Sequence, residues 1–195
     1  GLIHLGCWAH ARRYFVEAEA VLPKAVRRPD QLATQFIAAI ARLYAVEAKV
    51  KGKGVAERAQ LREAASRSIL AEIQHLLVTH RHSVTPGSLL GKALHYLEAQ
   101  WPKLIRYVEN GAWPIDNNLC ENAIRPFVVG RRNWLFADTV AGANASANIY
   151  SLIETCKANG VDTYRYLVAL FKALPLAKTA DDYEQLLPWH LTLGD

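Results

Sequence analysis

Pro29-Asp-Gln-Leu-Ala-Thr-Gln-Phe-Ile-Ala-Ala-Ile-Ala-Arg-Leu-Tyr-Ala-Val-Glu-Ala-Lys-Val50 is the stretch on which the fold turns. Leu32, Phe36, Ile40, Leu43 and Val46 with Val50 recur three or four residues apart, the spacing of one face of a long α-helix. Lys51-Gly52-Lys53-Gly54 ends that helix with two glycines in four residues. A second run begins near Val55 and sets Leu61, Ala65, Ile69, Ile73 and Leu77 on one stripe. His80, Arg81 and His82 then lead into Thr85-Pro86-Gly87, a stop signal. A third run, Leu89 to Val108, aligns Leu90, Leu94, Leu97, Trp101 and Ile105. Two long helices around a short basic turn predict an antiparallel hairpin.

Asn110-Gly111 closes this block, and the texture changes at Trp113-Pro114. Beyond Asp116 the pattern predicts a short helix from about Asn118, a turn at Gly130 and a short extended piece Trp134-Leu135-Phe136. A helix follows from Gly142 to Lys157, with Ile149, Leu152, Ile153 and Cys156 inward and Asn159-Gly160 as its C-cap. Further helices are expected over Thr163 to Ala173 and Ala180 to Leu187. Strand signals are confined to Leu2 to Cys7 and the Trp134 segment, so the class is mainly α.

The chain has 195 residues, 51% of them hydrophobic and 21% charged, with 11 Gly and 8 Pro. That composition excludes disordered, collagen-like and low-complexity classes, and the length suits one domain, alone or with an insertion. No uncharged stretch offers the roughly 20 apolar residues of a membrane span. His4, Trp8, His10, Arg12 and Arg13 interrupt any secretory signal at the start. Cys7, Cys120 and Cys156 are odd in number and widely spaced, which fits the reducing cytoplasm rather than a disulfide framework. With no Met and with Gly1 first, the sequence fits a processed chain or a piece of a longer one.

Residues 1–115 hold 16 Lys/Arg against 9 Asp/Glu, whereas residues 116–195 hold 7 against 9. The basic first part suits a polyanion partner such as nucleic acid, or a solvated helical surface. The densest polar constellation is Asp116-Asn117-Asn118, then Glu121, Arg125, Arg131 and Arg132. Asn118 and Glu121 have capping-box spacing, and Glu121 and Arg125 are an i,i+4 pair, so helix-end chemistry explains them. The other reading makes Glu121 an oxygen ligand to a divalent cation, which needs further carboxylates. Arg131 and Arg132 beside Trp134 suit a clamp on a DNA backbone or an unpaired end, and Arg12 and Arg13 could serve likewise. Cys7 and His10 have a Cys-x-x-His spacing with no second pair, which favours packing over zinc. His80 and His82 read as a polar helix end or a phosphate contact, and Lys49, Lys51 and Lys53 as non-specific phosphate attraction.

Several longer words stand together: Gly6-Cys-Trp-Ala-His-Ala-Arg-Arg-Tyr-Phe15, Pro114-Ile-Asp-Asn-Asn118, Glu121-Asn-Ala-Ile-Arg-Pro126 and Gly130-Arg-Arg-Asn-Trp-Leu-Phe-Ala137. Tyr150-Ser-Leu-Ile-Glu-Thr155, Lys157-Ala-Asn-Gly160 and Leu186-Leu-Pro-Trp189 follow. In this order they resemble the IS66-family insertion-sequence transposases over nearly the whole chain. The resemblance implies a ribonuclease-H-like core in which two Asp and one Glu hold two Mg²⁺ or Mn²⁺ ions for cutting and joining DNA at insertion-sequence ends. It places the Glu at Glu121 and favours DNA contact at Arg131 and Arg132 over a solvated turn; Arg125 is expected to join them, as are Arg12 and Arg13, which otherwise read as plain surface charge.

The same resemblance divides the chain. Residues 1–27 would end a core segment, 28–112 form a helical insertion, 113–160 carry the Glu, and 161–195 make a C-terminal helical element with a conceivable dimer contact. Both family aspartates lie upstream of the Gly-Cys-Trp-Ala-His word, and neither Asp30 nor Asp116 stands where it could replace them. This chain is therefore expected to lack most core strands and to be inactive alone. The rival expectation is a non-catalytic helical DNA-binding module or a degenerate transposase remnant.

Overall fold

The structure is a computed structural model that describes residues 3–134 and 137–191. Among the described residues all regular structure is helical: α1 (Trp8–Ala20), α2 (Leu32–Val50), α3 (Val55–His80), α4 (Leu89–Leu104), α5 (Asn118–Trp134), α6 (Val140–Ala158), α7 (Thr163–Ala173) and α8 (Ala180–Gln185). A 3-10 turn, Ile105–Val108, extends α4. The mainly α expectation holds. Residues 3–7 form no strand, and Trp134 ends a helix instead of opening the expected extended piece. Leu2, Leu135 and Phe136 lie outside the described residues.

The chain divides into two compact units, Gly1–Leu119 and Cys120–Asp195. In the first, α1 packs against both α2 and α4, and α2 against α3. Trp8, Ala11 and Phe15 form the fully buried stripe of α1. Phe15 stacks on Phe36 with ring centroids 4.4 Å apart, and Trp8 meets Trp101 edge-on at 6.1 Å. Each such fully buried side chain contributes roughly 1.5–3 kcal/mol. The predicted hairpin of α3 with α4 gives way to this arrangement. α3 lies chiefly along α2, while α4 takes α1 as its neighbour.

The buried face of α3 is also turned from its apolar stripe. Leu70, Ile73 and Leu77 are buried, but the positions continuing that face toward the N-terminus are Arg62 and Ser66. Leu61 points outward. Arg62 is 1% exposed. Its Nε and Nη2 donate to the two carboxylate oxygens of Glu47 on α2, at 2.8 and 2.7 Å. Its Nη1 donates to the carbonyls of Tyr107, Asn110 and Trp113 at 2.9, 3.0 and 2.9 Å. The guanidinium carbon also lies 5.2 Å from the Tyr107 ring centroid. One cation thus ties α2 and α3 to the non-helical run after α4. Gly111 lets that run close on α3, because a Cβ there would fall 1.9 Å from the Val55 carbonyl oxygen.

The second unit has a smaller core of Cys156, Tyr166, Leu170 and Leu186, with the Tyr166 hydroxyl donating to the Leu186 carbonyl at 2.8 Å. Local caps set its helices: Thr139 accepts from Gly142 N–H, Asp162 from Arg165 N–H, and Thr179 with Asp182 forms a capping box. Each cap is typically worth about 1 kcal/mol. Leu152 packs on this core as predicted, whereas Ile149 is exposed.

Replacing Arg62 by Met should cost about 3–5 kcal/mol, because it leaves the Glu47 carboxylate and three carbonyls without their donor. Urea unfolding monitored by circular dichroism measures it. The double change Arg62→Met with Glu47→Leu should recover only part, since the carbonyls stay unpaired. A loss under about 1 kcal/mol for the single variant would show that the cation does not hold the fold.

Candidate functional site

Two of the sequence words, a hundred residues apart, meet in space. Trp8 N–H donates to the Ile115 carbonyl at 3.2 Å, its indole Nε1 donates to the Leu104 carbonyl at 2.9 Å, and Gly6 N–H donates to the Lys103 carbonyl at 2.9 Å. The start of α1 is therefore pinned beside the segment that carries Asp116.

Asp116 itself is committed to holding the chain. One carboxylate oxygen accepts from the Tyr44 hydroxyl at 2.9 Å and from Asn118 Nδ2 at 2.9 Å, and the other accepts from Asn118 N–H at 3.1 Å. α5 begins at Asn118, so Asp116 caps it in place of the predicted Asn118. Burial, followed by the bond to Asp116 and the charge on it, pushes the Tyr44 phenol far above its ordinary value, with Arg12 opposing weakly. Sequence reading missed Tyr44. Its signal is a polar-tipped residue at the margin of the α2 apolar stripe, beside Glu47.

α5 presents most of the residues that the sequence proposed. Glu121 is half-buried, and Arg125, Arg131 and Arg132 are exposed. At 3.6 residues per turn Glu121, Arg125 and Arg132 share a face about 16 Å long. Arg131 lies instead on the stripe of Cys120, Ile124 and Phe127. α5 runs through Gly130, where a turn was predicted. The reason is local: Trp134 folds back along the helix, and a Cβ at Gly130 would sit 2.7 Å from its Cη2. Trp134, Phe127 and Tyr150 then make an edge-on aromatic cluster, with centroids 5.1 to 6.2 Å apart. Arg12 and Arg13 stand exposed on α1, in the other unit.

The arginines other than Arg165 separate into two kinds. Arg27, Arg28, Arg42, Arg62, Arg67 and Arg81 pair with carboxylates, while Arg58 and Arg106 donate to backbone carbonyls. Among the described residues Arg12, Arg13, Arg125, Arg131 and Arg132 make neither kind of bond. Those five are the ones the sequence singled out for DNA. Unneutralised guanidinium groups facing water are what a phosphate backbone needs, since each can displace a counterion.

Among the described residues no group of three or more His, Cys, Asp or Glu side chains could hold a metal ion. A two-cation centre needs carboxylates beyond Glu121. Among the described residues no helix is long and apolar enough to cross a membrane.

Comparison with known proteins gives two family-model matches that together cover most of the chain. A family model described as "Transposase IS66 family" matches residues 1–145, and a second, "IS66 C-terminal element", matches residues 151–189. The chain belongs to the IS66 transposase family. Among the relatives of this family member are two uncharacterized proteins of Sinorhizobium fredii. The protein y4qI is 34% identical over 185 residues, covering 95% of this chain and 33% of the relative. The protein y4jD is 28% identical over 185 residues, covering 94% of this chain and 35% of the relative. The IS66 chain thus spans about a third of the length of the curated relatives it matches. No solved structure matches it.

The buried phenols of this IS66 chain make it sensitive to alkali. Burial pushes Tyr107 from its ordinary 10.0 up to about 12, and Tyr44 is raised further. The folded state therefore keeps protons that the unfolded chain releases above pH 10, so stability is complete below pH 10 and falls as pH rises from there toward 12. Urea midpoints should decline across that window, and Tyr44→Phe should decline less steeply. A flat profile would contradict the buried placement of both rings.

Proposed function

We propose that this chain is the DNA-engaging, Glu-bearing part of a transposase, working in the cytoplasm on insertion-sequence ends. Family membership supports the transposase reading, and the observation that carries the DNA contact is the set of five arginines left without ion pairs. In this reading Arg125 and Arg132 grip the backbone beside Glu121, and Arg131, Arg12 and Arg13 add phosphate contacts. These are charge-assisted bonds that fix position on DNA without reading sequence.

Glu121 would supply one carboxylate of an Asp-Asp-Glu set on a ribonuclease-H-like core. The Mg²⁺ or Mn²⁺ that such chemistry uses needs partners beyond Glu121, consistent with a chain about one-third the length of its relatives. Alone, the chain is expected to bind DNA without cutting it. Assembly of more than one copy on paired DNA ends belongs to the same proposal. The rival is a helical DNA-binding module, or a degenerate transposase remnant, with no catalytic role.

Fluorescence anisotropy with a labelled duplex tests the DNA contact. Between 50 and 200 mM salt the affinity should fall about 10²-fold if four or five phosphates are contacted. Changing Arg125, Arg131 and Arg132 together to Ala should weaken binding and lower the salt slope by about 3. Binding that ignores the triple change, or no binding at 50 mM salt, would contradict the proposal. Glu121→Gln separates the two readings in a protein of the relatives' full length. Loss of cleavage with retained DNA binding supports the catalytic role, and unchanged cleavage removes it.

A further inference from the structure

Between α5 and α6 lies an open slot of about 360 Å³, lined from one side by Cys120, Ile124 and Phe127 and from the other by Tyr150, Ser151 and Glu154. Phe127 and Tyr150 supply its aromatic walls, their rings perpendicular at 84° with centroids 5.1 Å apart. Arg131 continues the same stripe of α5, four residues past Phe127 and seven past Ile124, and is exposed. The slot thus combines an apolar interior with two perpendicular aromatic rings, a rim with the Ser151 hydroxyl and the Lys157-paired Glu154 carboxylate, and a cation on the stripe that leads out of it.

We propose that the slot receives an unpaired DNA base, stacked on the Tyr150 ring with the perpendicular Phe127 ring meeting it edge-on, while Arg131 holds the adjoining phosphate. This rests on the DNA reading above and goes beyond it by naming a single-stranded element. An aliphatic side chain would need neither the polar rim nor the arginine. A base uses all three, since every base has a face to stack, edges to hydrogen-bond and a phosphate attached. The volume admits one base with its sugar and not a duplex. Loss of one such stack lowers affinity about tenfold or more.

The test compares a blunt duplex with the same duplex carrying a three-nucleotide single-stranded tail, bound to the 195-residue chain. The tail should raise affinity about tenfold, and a 2-aminopurine placed in it should lose fluorescence on binding through stacking. Ile124→Trp fills the slot from an exposed position, so it should abolish the tail's advantage and the quenching while leaving blunt-duplex affinity unchanged. Tyr150→Ala should act the same way, with unchanged circular dichroism confirming the fold. Equal loss on both DNAs, or a tail advantage that survives Ile124→Trp, would overturn the slot's role. A change of oligomeric state in Ile124→Trp with DNA preference intact would assign the slot to protein contact instead. Failure to bind either DNA would remove the DNA reading itself and this proposal with it.

Discussion

The first unit depends on one buried cation. Arg62 replaces water with Glu47 on one side and three backbone carbonyls on the other, and each contact has ordinary hydrogen-bond length. Burying a guanidinium costs several kcal/mol, so the group is tolerated only because its directions are met together. The return is positional. The run from Tyr107 to Trp113 has no regular structure of its own beyond the end of the 3-10 turn, and Arg62 fixes it against α3. That run delivers Ile115 to Trp8 and Asp116 to Tyr44, and Asp116 in turn caps the first residue of α5. A cation on a helix far upstream thereby sets where the Glu-bearing helix begins.

The second unit follows a different economy. Its core is small, its helices are started by side-chain caps, and large apolar residues such as Leu119 at its boundary, Tyr164, Phe171 and Trp189 remain exposed. α5 crosses this contrast with polar residues on one face and an aromatic-lined slot on another. Within the first unit the Asp116 cap fixes the first residue of α5, and within the second Arg125, Arg131 and Arg132 are exposed. Surface charge fits the same picture. Where arginines serve the fold they are matched with carboxylates or carbonyls, and where they remain unmatched they lie on α1 and α5.

The helices were legible in the sequence because their apolar periodicity is strong. Thr163 to Ala173 forms over the expected span, and the helix expected over Pro29 to Val50 starts at Leu32. What periodicity could not give was the rotation of α3, since the rule looks for apolar residues and the buried positions are Arg62 and Ser66. Polar residues spaced i,i+4 in line with Leu70, Ile73 and Leu77 were the available signal. Gly130 misled for a related reason: it was read as a turn, yet its missing side chain makes room for Trp134 within a continuous helix. Spacing within α3 and α4 did not reveal that α3 lies chiefly along α2 and α4 chiefly along α1. Of the site, the arginines were legible as a basic set near Glu121. The slot was not, because it needs Tyr150 and Ser151 from α6, and spacing along one helix says nothing about its neighbour.

The central claim is that DNA is held by the unmatched arginines of α5 and α1 while the matched ones hold the fold. Hydrogen–deuterium exchange of the chain with and without DNA tests it most directly. Added DNA should slow exchange in peptides covering 118–134 and 8–20, and leave 55–80, where Arg62 and Arg67 are paired, unchanged. Protection confined to 55–80, or none on α5, would contradict the account.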